Sequence, residues 1–127
     1  MARPKATELT QRELEVMRVF WEVGPGTAEQ ARQRLADAGV KLAYVTVANV
    51  VRALTEKQYL KQTNDVRPFE YEAIRSFDEV SKRLVGDLVE RLFDGSREQL
   101  LVHVLGRRRL TQQERQVLQE VLEQQKD

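Results

Sequence analysis

The first part of the chain alternates short apolar stripes with sharp breaks, a pattern typical of consecutive helices. The first stripe follows the capping box Thr10-Gln11-Arg12-Glu13 and stops at Gly24-Pro25-Gly26. The second follows the capping box Thr27-Ala28-Glu29-Gln30 and stops at Gly39, which suits a left-handed helix cap. The apolar positions of the two stripes are Leu14, Met17, Phe20 and Trp21, then Ala28, Ala31 and Leu35.

A third helix is predicted over residues 44–57, with two distinct faces. One face is apolar and occupies an arc of roughly 100°. Valines are poor helix formers, so packing against the rest of the protein must hold this helix. The apolar face carries Val47, Val50, Val51 and Leu54, and the opposite face carries Val45, Asn49, Arg52 and Glu56, flanked by Thr46, Ala48 and Ala53.

Two strands are predicted next, over residues 59–63 and 66–74. The dipeptide Asn64-Asp65 between them suits a tight hairpin turn. The second strand alternates aromatic or small residues with glutamates, as a strand with one buried side does. Pro68 lacks an N–H, so it is expected to confine this strand to the edge of a sheet.

The hydrophobic period becomes helical again after Ser76. A long amphipathic helix is predicted over residues 78–93, ended by Asp94-Gly95-Ser96. Ser96 caps a further helix, and the capping box Thr111-Gln112-Gln113-Glu114 opens a last one. The fold class predicted is therefore mainly α with a small β-hairpin: a winged helix-turn-helix domain at residues 1–76, followed by a helical dimerisation domain at residues 77–127.

Composition narrows the possible chemistry. A chain of 127 residues is too short for a barrel or a doubly wound nucleotide-binding fold. Cysteine is absent and His103 is the single histidine, so disulfides, thiol nucleophiles and transition-metal sites are not expected, and neither is a cofactor. No apolar run is long enough to span a membrane, and residues 1–9 lack the core of a signal peptide, so a cytoplasmic protein is expected.

Charge adds a modest signal in one stretch. The net charge is +1, from 21 basic and 20 acidic residues. Residues 41–67 carry five basic and two acidic groups, a local excess of +3. In a winged helix-turn-helix, the helix after the turn enters the major groove of DNA, where amide, hydroxyl and guanidinium groups recognise base edges. The predicted DNA-binding residues are Tyr44, Thr46, Asn49 and Arg52 on the third helix, with Lys61 and Arg67 on the hairpin.

Some of these assignments leave alternatives open. The polar face of the third helix could simply be solvated, as most such faces are. Tyr44 either stacks on the DNA backbone or belongs to the core. The basic run Arg107-Arg108-Arg109 is solvated, complements the end of the preceding helix, or makes a secondary DNA contact.

The C-terminal helices are too apolar to remain exposed on so small a protein. One solution is a single monomeric core, and the other, commoner for such segments, is a two-fold interface between two copies. A homodimer doubles the few phosphate contacts that one domain can offer. The predicted dimerisation residues are Leu84, Leu88, Leu92, Leu101, Leu105, Leu118 and Leu122.

Two other function classes compete with a DNA-binding protein. A winged-helix protein can act as a protein–protein adaptor that does not bind DNA. A hydrolase would need a nucleophile with a base, or a pair of carboxylates that perturb each other, and neither is recognisable here. The protein is therefore not expected to be an enzyme.

Several short motifs along the chain resemble the BlaI/MecI family of bacterial transcriptional repressors. Their order and spacing over nearly the whole chain are more specific than any one of them. The matching pieces are Leu9-Thr10 with Glu13-Leu14-Glu15-Val16-Met17, Trp21-Glu22 before Gly24-Pro25, Leu42-Ala43-Tyr44-Val45-Thr46-Val47, Leu54-Thr55-Glu56-Lys57 with Tyr59-Leu60, Tyr71, Arg91-Leu92-Phe93-Asp94-Gly95-Ser96, and Leu110-Thr111 with Glu114.

The resemblance implies a homodimer that binds a palindromic operator and is released by an inducing signal, in several members by proteolytic cleavage. It also implies recognition positions at Val45, Thr46, Asn49 and Arg52, and wing positions at Lys61 and Arg67. Its expected partners are double-stranded operator DNA, a second copy of the chain and, in the cleavage-relieved version, a membrane sensor metalloprotease or its signal. The position cleaved in such members corresponds here to His103-Val104, where the family has an asparagine–phenylalanine pair.

The chain departs from the family pattern at three further places. Ala53 stands where the family often has an arginine. Gln58, which follows Lys57, stands where the family usually has a glycine. Copper-responsive relatives end in a cysteine cluster, which this chain lacks, so that mode of sensing is not expected.

Overall fold

The computed structural model describes residues 8–126, which form six helices and three short strands. The helices are α1 (Gln11–Val23), α2 (Ala28–Asp37), α3 (Tyr44–Glu56), α4 (Phe77–Leu92), α5 (Arg97–Leu105) and α6 (Gln112–Gln124), and the strands are β1 (Gly26–Thr27), β2 (Leu60–Gln62) and β3 (Glu70–Ala73). The predicted winged-helix fold class is confirmed.

The predicted helix starts are confirmed in atomic detail. Thr10, Thr27 and Thr111 each accept a hydrogen bond from the backbone N–H three residues on, and that third residue bonds back to the threonine N–H. Gly39 has φ +94°, so it occupies the left-handed region predicted for the end of α2. Its N–H donates to the Ala36 carbonyl and the Val40 N–H donates to the Leu35 carbonyl, which closes the last turn of the helix.

The core of the first three helices is formed by the apolar stripes. Val47, Val51 and Leu54 of α3 are almost completely buried, as the packing argument requires of a valine-rich helix. They pack with residues of α1 and α2, of β2 and the residue before it, and of the first turn of α4: Val16, Met17, Phe20, Ala28, Ala31, Leu35, Tyr59, Leu60 and Val80.

The strands differ from the sequence-based prediction. The sheet is antiparallel with the order β1-β3-β2, so β3 is the central strand and its predicted edge position is wrong. Pro68 does not exclude it from the centre because it precedes the strand, which begins at Glu70. The short strand β1 forms the edge opposite β2, and in it Gly26 pairs with Tyr71 and Thr27 with Glu70.

The predicted two-residue hairpin turn is also wrong. Strands β2 and β3 are shorter than expected and are joined by residues 63–69, which we call the wing loop. At its base the Thr63 N–H donates to the Glu70 carbonyl over 2.8 Å. Strands β2 and β3 and the wing loop together form the wing of the fold.

The described part of the chain divides into two compact units, and the division falls within α4, between Ser81 and Lys82. We refer to them as the N-terminal and C-terminal units. In the described part of the C-terminal unit, Val89 is the buried apolar residue, whereas most other apolar side chains of α4, α5 and α6 are exposed. Near the end of α4, the Phe93 ring contacts the His103 ring at a centroid distance of 5.1 Å.

Candidate nucleic-acid interface

Helix α3 presents a polar face to solvent because Val47, Val51 and Leu54 are held in the core. Thr46, Asn49 and Arg52 are exposed on that face. Val45 is also exposed, at 62% of its surface, although it is apolar. Tyr44 is 54% exposed, so it is not a core residue. The structure thus leaves all five predicted α3 residues accessible from outside the protein.

The start of α3 differs from the other helix starts in the N-terminal unit. Ala43 precedes it, and no side chain caps the first turn. Helices α1 and α2 instead begin with capping boxes built on Thr10 and Thr27. The first amide groups of α3 are therefore not bound by a capping side chain, which favours an anion at this position.

A groove of about 360 Å³ separates the start of α3 from the wing loop, and we call it the α3–wing groove. Tyr44 and Ala48 of α3 line it together with Arg67 of the wing loop. The predicted residues Tyr44 and Arg67, which are 23 positions apart in the sequence, thus line the same surface. The complete lining is Thr27, Ala28, Glu29, Tyr44, Ala48, Arg67, Pro68, Phe69 and Tyr71.

The two predicted wing cations are held differently. The guanidinium carbon of Arg67 lies 5.2 Å from the centre of the Phe69 ring, a cation–π contact on the groove wall. Lys61 lies on β2, and its Nζ is 3.3 Å from a carboxylate oxygen of Glu72 on β3. Both side chains are exposed, so both cations can also reach a ligand from solvent.

The basic excess of residues 41–67 is smaller on the surface than in the sequence. Lys57 is one of its five cations, yet the Lys57 Nζ lies 2.8 Å from the carboxylate of Glu13, a buried residue. The same Nζ donates to the Glu8 carbonyl over 2.7 Å. Lys57 is therefore occupied within the protein and is not an available DNA contact.

Sequence reasoning missed an ion pair beside the groove. The Arg32 guanidinium makes two hydrogen bonds to the Glu29 carboxylate, of 2.8 and 2.6 Å. The Arg32 hydrogen bonds hold the pKa of Glu29 below its usual range, so this groove-lining carboxylate is ionised and paired. The spacing of three residues on a helix was the available signal.

Sequence reasoning also missed the hydrogen bonds and the ring contact that organise the wing loop. Asn64 was predicted only as a turn residue, but its side-chain amide bonds to three main-chain groups across the loop. Phe69, predicted as a strand residue, lies before β3 and supports Arg67. An asparagine between two strands signals side-chain to main-chain bonding, but not which groups it will reach.

The predicted dimerisation residues lie in the C-terminal unit. Leu84, Leu88, Leu92, Leu101 and Leu122 are exposed, and Leu105 and Leu118 are half-buried. The positions matched to the family's cleavage site, His103 and Val104, are exposed on α5. The His103 Nδ1 lies 3.0 Å from the Gln99 carbonyl, so this nitrogen is the donor.

Residues 8–126 show neither a metal-binding cluster nor a membrane-spanning helix. No group of three or more histidine, aspartate and glutamate side chains is placed to hold a metal ion there. No helix in the same range is long and apolar enough to cross a membrane.

Comparison with known proteins agrees with the fold and with the motifs. The sequence profile of the penicillinase repressor family matches residues 9–124. The transcriptional regulator BlaI of Mycobacterium tuberculosis, in strains CDC 1551/Oshkosh and ATCC 25618/H37Rv, is 34% identical over 105 residues, which cover 81% of this chain and 75% of the relative. The resemblance to BlaI/MecI repressors is thereby confirmed, and the chain belongs to the penicillinase repressor family of transcriptional regulators.

Proposed function

We propose that this protein is a sequence-specific DNA-binding repressor that acts as a homodimer on a palindromic operator and is released by an inducing signal. The observation that carries the proposal is the division of α3 into two faces. Its apolar face is buried in the core, while Thr46, Asn49 and Arg52 project to solvent. A helix anchored from behind and polar in front suits the major groove.

The exposed side chains of α3 have the chemistry that base recognition requires. The Asn49 amide can donate one hydrogen bond to adenine and accept another. Adenine presents this acceptor and donor pair only in the major groove. Arg52 can bond to guanine or to a phosphate, and Val45 and the Thr46 methyl group can contact a thymine methyl. These side chains are assigned to sequence recognition.

The groups around the α3–wing groove suit the DNA backbone. The uncapped start of α3 and the Arg67 guanidinium flank the groove, and both favour a phosphate. Tyr44 offers a hydroxyl and a ring for sugar or phosphate contact. Lys61 is assigned a further phosphate contact on the outer wing. Such contacts set the position of the protein on DNA without selecting a sequence.

The C-terminal unit supports the homodimer. Exposed apolar side chains occur on each of its three helices, including Leu88 on α4, Leu101 on α5 and Leu122 on α6. Soluble proteins seldom leave so much apolar surface in water, and a two-fold interface between identical copies is the commonest way to cover it. Two joined DNA-binding units also double the number of phosphate contacts.

Release by proteolysis is the inducing mechanism we propose, with a membrane sensor metalloprotease or its signal as the upstream partner. Helix α5 has nine residues and no buried side chain, and His103 and Val104 are exposed on it. A short helix without buried anchors opens locally at low cost, as a protease requires. Cleavage there would cut the proposed dimerisation region.

Selection of bound duplexes from a random DNA library, using the full chain, tests the DNA-binding proposal. The expected result is an enriched inverted repeat whose half-sites are separated by about one helical turn, or by a multiple of it. Enrichment of single half-sites would contradict the dimer but not DNA binding. Failure to retain any duplex at low ionic strength would reject the repressor and favour a protein–protein adaptor.

A further inference from the structure

We infer that Asn64 is a positioning residue for DNA binding: its side-chain amide shapes the wing loop so that Arg67 is held at the α3–wing groove. The inference rests on the proposed function, because it concerns how a DNA contact is presented. Asn64 itself is assigned no contact with DNA.

The Asn64 side chain bonds across the loop in both directions. Its Oδ1 accepts from the Glu70 N–H over 2.8 Å, at the first residue of β3. Its Nδ2 donates to the carbonyls of Val66, over 3.1 Å, and Pro68, over 3.3 Å. One amide group thus bonds two points of the wing loop and the first residue of β3.

The bonded carbonyls flank Arg67, and this is what connects Asn64 to the proposed interface. Val66 precedes Arg67 and Pro68 follows it, so the main chain on both sides of the arginine is fixed to one side chain. The guanidinium then rests over Phe69, and Arg67, Pro68 and Phe69 form the wing side of the groove.

The chemistry of this arrangement is specific to an amide. Asparagine supplies a donor and an acceptor from the same planar group, and the loop uses both. Aspartate keeps the acceptor for the Glu70 N–H but cannot donate to the two carbonyls when it is ionised. Alanine supplies neither. The three side chains therefore form a graded series in the number of loop hydrogen bonds they can make.

Ordering the wing loop before DNA binds should strengthen binding through Arg67. An arginine on an unrestrained loop must lose backbone and side-chain freedom when it binds a phosphate, and that loss weakens binding. A loop that is ordered beforehand avoids part of this cost. Asn64 should therefore change DNA affinity only through Arg67.

The experiment is a double-mutant cycle on the full chain, with affinity for the selected duplex measured at several salt concentrations. Arg67→Ala should weaken binding about tenfold per half-site and reduce the salt slope by about one per half-site, and Asn64→Ala should weaken binding by only part of that factor. The double variant should bind no more weakly than Arg67→Ala alone. Asn64→Asp sets a carboxylate oxygen against the Val66 and Pro68 carbonyls and adds a negative charge near phosphate, so it should bind at least as weakly as Asn64→Ala.

Asn49→Ala provides the matched control, because it removes the same amide from α3. Its effect should add to that of Asn64→Ala and should leave the salt slope unchanged. Hydrogen exchange without DNA provides an independent measure of the loop. The Glu70 amide should exchange faster in Asn64→Ala than in the parent, while Arg67→Ala should leave it protected.

The outcomes separate this inference from the proposed function. Additive effects of Asn64→Ala and Arg67→Ala, or unchanged affinity in Asn64→Ala, would overturn the positioning role while DNA binding stands. An unchanged exchange rate at Glu70 would also overturn it, whatever happens with DNA. If the parent binds no duplex, the proposed function fails, and the exchange experiment still decides whether Asn64 orders the loop.

Discussion

The ammonium group of Lys57 lies 2.8 Å from the carboxylate of Glu13, and this ion pair ties the end of α3 to the start of α1. The same carboxylate accepts from the Thr10 N–H over 2.9 Å, so it also completes the capping box of α1. Glu13 is buried and the Lys57 side chain is 20% exposed. The pair thus adds to the core packing that holds α3, whose outer face is the proposed DNA-recognition surface.

Replacing Lys57 should therefore destabilise the fold without removing a DNA contact. We expect Lys57→Ala to lower the free energy of unfolding by about 1–3 kcal/mol, because a buried carboxylate loses its partner. Urea unfolding measures this loss. The salt slope of DNA binding should remain that of the parent.

Lys61→Ala is the matched control for Lys57→Ala. Lys61 and Glu72 form an exposed pair, so its removal should cost less than about 1 kcal/mol of stability. It should instead reduce the salt slope of DNA binding. Equal losses of stability in the two variants would contradict the role given to the Glu13–Lys57 pair.

Arg32 should support DNA binding without contacting DNA. Arg32→Ala leaves the Glu29 carboxylate unpaired on the wall of the α3–wing groove, where it repels phosphate. We expect duplex affinity to fall about two- to threefold per half-site, by the same factor for all sequences. Titration at low ionic strength is the sensitive measurement, because salt screens exposed charges.

The compensating variant distinguishes charge from structure at this pair. Glu29→Gln in the Arg32→Ala background removes the carboxylate and should restore most of the lost affinity. If affinity stays low in the double variant, Arg32 acts through something other than neutralising Glu29.

Asn49 should determine base preference at one operator position. We expect Asn49→Ala to cost about 1–3 kcal/mol per half-site on the preferred sequence and much less on variants of that position. A panel of single-base operator variants measures the difference. Thr55→Ala is a control on the same helix, since the Thr55 hydroxyl donates to the Val51 carbonyl over 2.8 Å. Identical panels for parent and Asn49→Ala would reject the assignment.

Leu88 should belong to the dimer interface. Leu88→Arg places a charge among apolar side chains, and an unpaired charge is costly to bury. We expect the variant to sediment as a monomer where the parent sediments as a dimer, and to bind DNA with a lower salt slope. Asp87→Arg adds the same side chain at the neighbouring exposed position and should stay dimeric. Dimers of both variants would place Leu88 outside the interface.

Gln58 should be a position where glycine is the more stable residue. It follows α3 with φ +68°, in the left-handed region that strains residues with a Cβ. We expect Gln58→Gly to raise the free energy of unfolding by about 0.5–1 kcal/mol, net of the greater freedom of glycine in the unfolded chain. Gln33→Gly, within α2, should lower it by about 1 kcal/mol. A loss of stability in Gln58→Gly would contradict the strain.

Features that depend on nearby residues were predicted well from the sequence. The capping boxes at Thr10, Thr27 and Thr111 form as predicted, because each needs two side chains three residues apart. The valine stripe of α3 identified its buried side, and hence the polar side proposed to face DNA. Helical periodicity reports burial directly, so the amino-acid pattern alone is enough to select the candidate recognition residues.

Features that depend on distant residues were decided by the tertiary structure. The pairing of Gly26 with Tyr71 makes β3 central, and no local pattern around either residue indicates it. Likewise, the local excess of +3 in residues 41–67 counts Lys57, although Lys57 is paired with Glu13, which lies 44 positions away in the sequence. Asn64 suggested a turn, but the length of the wing loop follows from where β2 and β3 pair. Caps and helix faces arise within a few residues, whereas strand order, ion pairing and loop shape arise only when the chain closes on itself.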